Sequence, residues 1–186
     1  MLLTVAELER APIEFDQNIA PDQIDFGEEL HSIQDLHVKG IADLLREHRG
    51  PHEIVADIRV RAGYQAHVEV LCARCLEPVQ YPLDNQFDLL FRPLGVDATG
   101  DDRSISPSET EIGYYEKSGL LLEDVLREQI LLSLPARTLC TPSCKGLCTH
   151  CGRNLNTETC DCAADSVDPR WSALETLESI RTKGKP

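Results

Sequence analysis

Eight cysteines form the clearest chemical pattern in this 186-residue chain. Two of them make a Cys-x-x-Cys pair at residues 72–75, and the other six lie between residues 140 and 162. Tetrahedral zinc binds four thiolates, and a Cys-x-x-Cys turn brings two sulfurs to one ion. The pattern therefore predicts one or two structural zinc ions. The predicted ligands are Cys72, Cys75, Cys140, Cys144, Cys148, Cys151, Cys160 and Cys162.

The sequence leaves open how these thiols divide between two ions. In one grouping, the Cys-x-x-Cys and Cys-x-Cys pairs of residues 148–162 close a local site, and the pair at 72–75 joins the cysteines at 140–144. In the other, the four cysteines of 140–151 bind one ion, while the pairs at 72–75 and 160–162 bind the second. We favour the first grouping because it needs less loop closure.

The cellular compartment decides between metal and disulfides. Met1–Phe15 lacks the basic start and apolar stretch of a signal peptide, and no run of about 18 apolar residues could span a membrane. We therefore expect a cytoplasmic protein without a membrane partner. Disulfides are disfavoured in a reducing cytosol, where clustered cysteines more often bind metal.

A thiol oxidoreductase that uses Cys72 and Cys75 is the main enzymatic alternative, since Arg74 could lower a thiol pKa. However, the redox Cys-x-x-Cys usually opens a helix, whereas strand patterns flank this pair. A zinc hydrolase would need an open ligand position, and neither a His-Glu-x-x-His nor a Gly-x-Ser-x-Gly motif occurs. His150, inside the second turn, is more simply an exposed turn residue. We predict no catalysis and no small-molecule substrate.

Charge divides the chain into two parts. Residues 1–136 carry 11 Lys and Arg against 26 Asp and Glu, a balance of −15, whereas residues 137–186 carry 7 against 6. Because Lys and Arg supply most of the affinity for nucleic acid, the first part is a poor nucleic-acid binder. Contacts with RNA or a partner are expected in the second part, at Lys145, Arg153 and Arg170.

The elements around the cysteines predict an α+β protein. Apolar residues alternate from Val79 to Phe91, which is typical of a half-buried strand, and Pro82 indicates an edge position or a bend. Weaker alternation precedes it, with a turn expected at Ala62-Gly63. The Cys72–Cys75 turn then joins two strands at one end of an antiparallel sheet.

Two helices complete the predicted elements. The spacing of Leu122, Val125, Leu126 and Ile130 predicts a helix near 119–132 after a polar surface loop at 94–111. A last helix is expected from Asp168, with Trp171 on its packed face. The predicted domains are an acidic, antiparallel β-rich body at 1–136, with one or two packed helices, and a small cysteine-rich zinc-binding module with this last helix at 137–186.

Five segments of the chain form a recognisable ordered set: CARCLEP from Cys72, LSLP from Leu132, CTPSCKGLCTHCGRNLN from Cys140, CDC from Cys160 and DPRW from Asp168. Together they resemble the YceD family, the bacterial and plastid large ribosomal RNA subunit accumulation proteins. The resemblance covers roughly residues 10–180. Thr149 departs from the pattern, since such turns commonly have proline there.

This resemblance implies a non-enzymatic factor that supports the accumulation or maturation of large-subunit (23S) ribosomal RNA. The implied partners are a large-subunit precursor, its rRNA or ribosomal proteins. One alternative stays open: an adaptor whose acidic body binds basic ribosomal proteins without contacting RNA.

Overall fold

The computed structural model shows a sheet-rich protein, with two helices among the residues it describes. It describes residues 1–27, 30–48, 54–96, 112–116 and 119–162. The antiparallel β-rich body with helices agrees with the predicted α+β class. The elements are β1 Leu2–Thr4, α1 Val5–Leu8, β2 Ile13–Ile19, β3 Leu30–Ser32, β4 Leu36–His48, β5 Ile54–Leu71, β6 Pro78–Pro93, β7 Ile112–Tyr115, β8 Gly119–Leu121 and α2 Leu122–Ser133.

The main sheet has the strand order β2-β4-β5-β6-β7, and β3 pairs with β5 beside this path. Adjacent strands in this sheet are antiparallel, except for β6 and β7, which run parallel to each other. β1 and β8 make a separate two-stranded antiparallel sheet. The parallel strand and the small sheet join segments that lie far apart in sequence, and the alternation of apolar residues gives no sign of either.

Strand β5 is the centre of the sheet. Its alternate side chains from Ile58 to Val70 are buried, while those between them face outward. The turn expected at Ala62-Gly63 is wrong, because β5 continues through it and Gly63 pairs with Lys39 on one side and Gln86 on the other. Ala62 lies in the core and Gly63 lies on the outer face, so buried and outward-facing residues alternate along β5 without interruption.

Helix α2 covers the inner face of the sheet with its predicted apolar stripe. Leu122, Val125, Leu126 and Ile130 are buried. The hydroxyl of Tyr64 on β5 donates a hydrogen bond of 3.1 Å to the Gln129 carbonyl. The helix begins at Leu122 rather than near residue 119 as predicted, because residues 119–121 form β8.

The turn at Cys72–Cys75 lies where expected, between the end of β5 and the start of β6. Pro82 on β6 pairs with His67 of β5. On its other side β6 pairs with β7 only over Leu90–Pro93, so Pro82 occupies an edge of the described sheet. A proline is tolerated there because no second neighbour requires its missing N–H.

Contacts divide the chain into two compact units, Met1–Cys144 and Lys145–Pro186. The charge balance of the sequence predicted a domain boundary nearer the N-terminus, after residue 136. Neither described helix has the length or apolar character needed to cross a bilayer. The predicted helix from Asp168, and most of the predicted loop 94–111, lie outside the described residues.

Candidate metal centres

The first Cys-x-x-Cys turn is closed by two backbone hydrogen bonds. The amide of Leu76 donates to the Cys72 carbonyl at 3.0 Å, and the amide of Cys72 donates to the Glu77 carbonyl at 2.9 Å. This geometry requires Leu76 to adopt φ +60°, the one positive φ among the described non-glycine residues. Turned this way, the chain directs its amides toward the sulfurs.

The second Cys-x-x-Cys turn repeats the first. The amide of Gly152 donates to the Cys148 carbonyl at 2.9 Å, and the amide of Cys148 donates to the Arg153 carbonyl at 2.8 Å. Gly152 has φ +72° at the position that Leu76 occupies in the first turn. Glycine meets this requirement without steric cost, whereas leucine does not.

The first centre brings Cys72, Cys75, Cys140 and Cys144 together within the unit Met1–Cys144. Their sulfurs all lie within 4.8 Å of one another. The Cys72 and Cys144 sulfurs are 3.8 Å apart, and those of Cys75 and Cys140 are 3.6 Å apart. This is the first of the two groupings considered from the sequence.

These distances fit a tetrahedral zinc site. Zinc–sulfur bonds of about 2.3 Å in a tetrahedron place the sulfurs about 3.8 Å apart. A disulfide would require about 2.05 Å between sulfurs, and all eight cysteines are free thiols. The donor set and its spacing thus suit a closed four-thiolate site rather than two disulfides.

Backbone amides stabilise negative charge on Cys72. The amides of Arg74, Cys140 and Cys75 lower the pKa of its thiol from 9.0 to about 6, and the Cys140 amide lies 3.4 Å from the Cys72 sulfur. A thiolate is the form that binds metal. The turn therefore prepares one ligand before any ion arrives.

Arg74 has a structural contact that the sequence did not reveal. Its guanidinium donates a hydrogen bond of 2.6 Å to the Cys144 carbonyl, while the amide of Ala73 donates to the Thr138 carbonyl at 2.8 Å. Both bonds attach the turn to the segment that carries Cys140 and Cys144. From the sequence, Arg74 was considered only as a group that could lower a thiol pKa, and nothing in its neighbours indicated the carbonyl partner.

The second centre brings Cys148, Cys151, Cys160 and Cys162 together within the unit Lys145–Pro186. Their sulfurs also lie within 4.8 Å of one another. Cys148 is buried, but Cys151 and Cys162 are exposed. Amides of Cys151 and His150 lower the pKa of Cys148 to about 6, which parallels Cys72 in the first turn.

Short-range bonds shape the second centre. Leu147 forms an isolated antiparallel bridge with Asn154, and the Leu155 amide donates to the Gly146 carbonyl at 2.9 Å. The Lys145 amide donates to the Asn156 side chain at 2.8 Å. The polar segment between the two cysteine pairs therefore folds back on itself.

The three basic residues proposed to contact RNA or a partner have different surroundings. The Lys145 side chain makes no ion pair among the described residues. Arg153 donates to the Thr159 carbonyl at 3.4 Å and lies 3.9 Å from a Glu158 oxygen. Arg170 lies outside the described residues. A contact role for all three stays a prediction.

Comparison with protein families matches residues 60–178 to the family described as large ribosomal RNA subunit accumulation protein YceD. This range contains all eight cysteines and so both candidate centres.

Individual relatives match over shorter stretches. Uncharacterized proteins of Mycobacterium bovis and Mycobacterium tuberculosis are each 33% identical over 103 residues, which is 55% of this chain and 47% of theirs. A chloroplastic YCED homolog 1 of Arabidopsis thaliana, named as a large ribosomal RNA subunit accumulation protein, is 35% identical over 52 residues, 28% of this chain and 16% of its own. The chain spans about half the length of the mycobacterial relatives. No solved structure matches it.

Proposed function

Because this chain belongs to the YceD family of large ribosomal RNA subunit accumulation proteins, we propose that it supports the accumulation or maturation of large-subunit (23S) ribosomal RNA. The proposed role is non-enzymatic, and the proposed compartment is the cytoplasm. The observation that carries the proposal is that the family match includes both four-cysteine clusters in full.

We further propose that each cluster holds one structural zinc ion. Four thiolates at tetrahedral spacing support this assignment, as do the two turns that lower the pKa of Cys72 and Cys148. When bound, zinc would supply cross-links between chain segments and thereby stabilise the fold. Four protein ligands would leave no open position for a water or substrate, in keeping with a non-enzymatic role.

The proposed partners are large-subunit precursor particles, through rRNA or ribosomal proteins. The near-neutral segment after residue 136 is the expected RNA-facing surface, with Lys145, Arg153 and Arg170 as its contacts. A protein-only adaptor is the second candidate, and the observation that favours it is the balance of −15 in residues 1–136, which repels phosphate.

Removal of the gene tests the proposed function. We expect large-subunit rRNA to fall relative to small-subunit rRNA, and the wild-type protein to restore the ratio. Variants with Cys72→Ser/Cys75→Ser should fail to restore it, whereas Lys39→Ala, on the outer face of the sheet, should succeed. An unchanged rRNA ratio in the deletion would refute the proposed function.

Crosslinking separates the two modes of contact. Ultraviolet crosslinks between rRNA and residues 140–162 in precursor particles would favour direct RNA contact, and Lys145→Glu should weaken them. Crosslinks to ribosomal proteins alone would favour the adaptor.

A further inference from the structure

A groove of about 470 Å³ lies between α2, the strands β7 and β8, and the start of the chain. Its floor consists of core side chains that include Phe91, Leu120 and Val125, all buried. β7 is the terminal strand of the described main sheet. The groove belongs wholly to the unit Met1–Cys144 and contains none of the eight cysteines.

The walls of the groove are apolar and accessible. Leu2 and Leu121 are cross-strand partners in the β1–β8 sheet, and they are 50% and 40% exposed. Tyr114 on β7 is 49% exposed. Three large apolar side chains from three strands thus meet solvent around one depression, an arrangement that marks interaction sites on folded proteins.

Its charged lining residues are all acidic: Glu116, Asp124 and Glu128. None of these three carboxylates has an ion pair or hydrogen bond among the described residues. Asp124 and Glu128 are four residues apart on α2, so they share a face, where like charges repel. The nearby Arg127 is directed elsewhere, since its guanidinium donates to the Asp25 carbonyl at 2.6 Å.

We propose that this groove binds a cationic amphipathic segment of a partner protein. Apolar side chains of that segment would pack on Leu2, Tyr114 and Leu121. Its Lys or Arg side chains would pair with the three carboxylates. This binding site goes beyond the proposed role in rRNA accumulation and does not depend on it.

Charge disfavours RNA and a second copy of this chain as occupants of the groove. RNA would bring phosphates against the three carboxylates of the groove, which weakens binding. A second copy related by a two-fold axis would place the same surface on both sides of the interface. The carboxylates of both copies would then meet, at a cost in free energy. A partner segment with positive charge beside an apolar stripe would avoid both of these repulsions.

The probe is a fluorescein-labelled peptide of Leu and Lys, about four helical turns long, with Leu at helical spacing. Binding to the full zinc-loaded chain is followed by fluorescence anisotropy at physiological salt. We expect Glu116→Lys/Glu128→Lys to weaken binding by about tenfold or more, through loss of two charge contacts and gain of repulsion. Tyr114→Ala should weaken it by about tenfold through loss of apolar contact.

The matched control is Asp22→Lys/Asp35→Lys. Both aspartates are exposed, have no ion pair among the described residues, and give the same change in net charge. We expect this control to change the peptide Kd by less than about twofold, since net charge acts weakly at physiological salt.

Four results would overturn the proposal. If the groove variant and the control variant weakened peptide binding equally, binding would depend on net charge alone. If Tyr114→Ala left the peptide Kd unchanged, the apolar side chains around the groove would not contribute to binding. The thermal midpoint of this variant shows whether it is folded. Binding of polyuridylate that Tyr114→Ala abolishes would identify a nucleic-acid site. A dimer in analytical ultracentrifugation that Tyr114→Ala converts to monomer would identify a second copy as the occupant.

Discussion

At the scale of the residue, Leu76 is the least expected feature of the first centre. It holds φ +60°, where the β-carbon of an L-residue costs roughly 1–2 kcal/mol. Its side chain is 58% exposed, so core packing does not explain the conformation. The two hydrogen bonds that close the Cys72–Cys75 turn impose it.

Substitutions at Leu76 should therefore separate backbone from side-chain effects. We expect Leu76→Val to lower the free energy of unfolding by about 1–2 kcal/mol, since β-branched residues are rarely found at positive φ. Leu76→Asn should raise it by up to about 1 kcal/mol, because asparagine tolerates this region and so removes the cost that leucine bears there. Urea unfolding of the zinc-loaded protein measures both. Equal losses would mean that apolar contact at Leu76, not φ, determines stability.

Two Arg–Asp pairs on β5 and β6 differ in burial and in hydrogen-bond length. Arg92 and Asp57 are both at least 95% buried, with hydrogen bonds of 3.2 and 3.0 Å. Arg59 and Asp88 are exposed, although their bonds are shorter, 2.7 and 2.6 Å. The exposed pair lowers the pKa of Asp88 through its hydrogen bond to Arg59, yet water screens its contribution to stability.

We expect Asp57→Ala to lower the free energy of unfolding by about 3 kcal/mol or more, because the buried guanidinium of Arg92 would lose its buried carboxylate partner. Asp88→Ala should cost less than about 1 kcal/mol. Chemical denaturation of the two variants side by side is the measurement. If Asp88→Ala cost as much as Asp57→Ala, burial would not be the deciding factor.

At the scale of the element, two glycines of the main sheet have different reasons to be glycine. A β-carbon at Gly40 on β4 would lie 2.4 Å from the Arg61 carbonyl oxygen and 2.5 Å from the Ala62 β-carbon. At Gly63 on β5, the nearest atom would be 3.6 Å away, in Gln86. Gly40 is therefore needed for close strand packing, whereas Gly63 is not.

Gly40→Ala should lower the free energy of unfolding by about 1–3 kcal/mol, because backbone atoms cannot move aside as a flexible side chain does. Gly63→Ala should be neutral or should stabilise by about 0.5 kcal/mol, since alanine loses less conformational entropy on folding than glycine. Thermal unfolding distinguishes them. A Gly63→Ala loss as large as that of Gly40→Ala would contradict the close-packing argument.

The two candidate centres constrain different lengths of chain. The first joins Cys72 to Cys144, 72 positions apart, whereas the second joins cysteines within residues 148–162. Closing a longer loop restricts the unfolded chain more, although the dependence on length is weak. The first centre should therefore stabilise the end of β5 and the start of β6, and the second only its own segment.

Hydrogen exchange should report this division. In Cys72→Ser/Cys75→Ser we expect faster exchange at both ends of the turn, in β5 and β6, with a loss of unfolding free energy of about 3 kcal/mol or more. In Cys160→Ser/Cys162→Ser, exchange in β5 and β6 should stay as in the wild type. Faster exchange in those strands for both variants would show that the second centre also stabilises the main sheet.

At the scale of the whole molecule, metal content is the first quantity to measure. Protein purified without chelator should contain two zinc ions per chain, and Cys148→Ser/Cys151→Ser should reduce this to one. Zinc removal should expose reactive thiols in groups of four. One ion in the wild type, with four reactive thiols, would refute a second zinc site. Absence of zinc would refute both.

Much of this protein is determined by its sequence alone. The spacing of the cysteines predicted two sets of four thiols, and the alternation of apolar residues predicted the strands that flank Cys72 and Cys75. The apolar stripe from Leu122 to Ile130 predicted α2. These features depend on local periodicity and on turn chemistry, which a short stretch of chain expresses without its neighbours.

Only the tertiary structure decided the remaining features, because they depend on residues that are distant in sequence. It grouped Cys72 and Cys75 with Cys140 and Cys144, a choice that spacing alone left open. It carried β5 through Gly63, since pairing on both sides outweighed the local preference for a turn. It also gave Leu76 the conformation of a glycine, because the hydrogen bonds that close the turn stabilise that conformation despite its local cost.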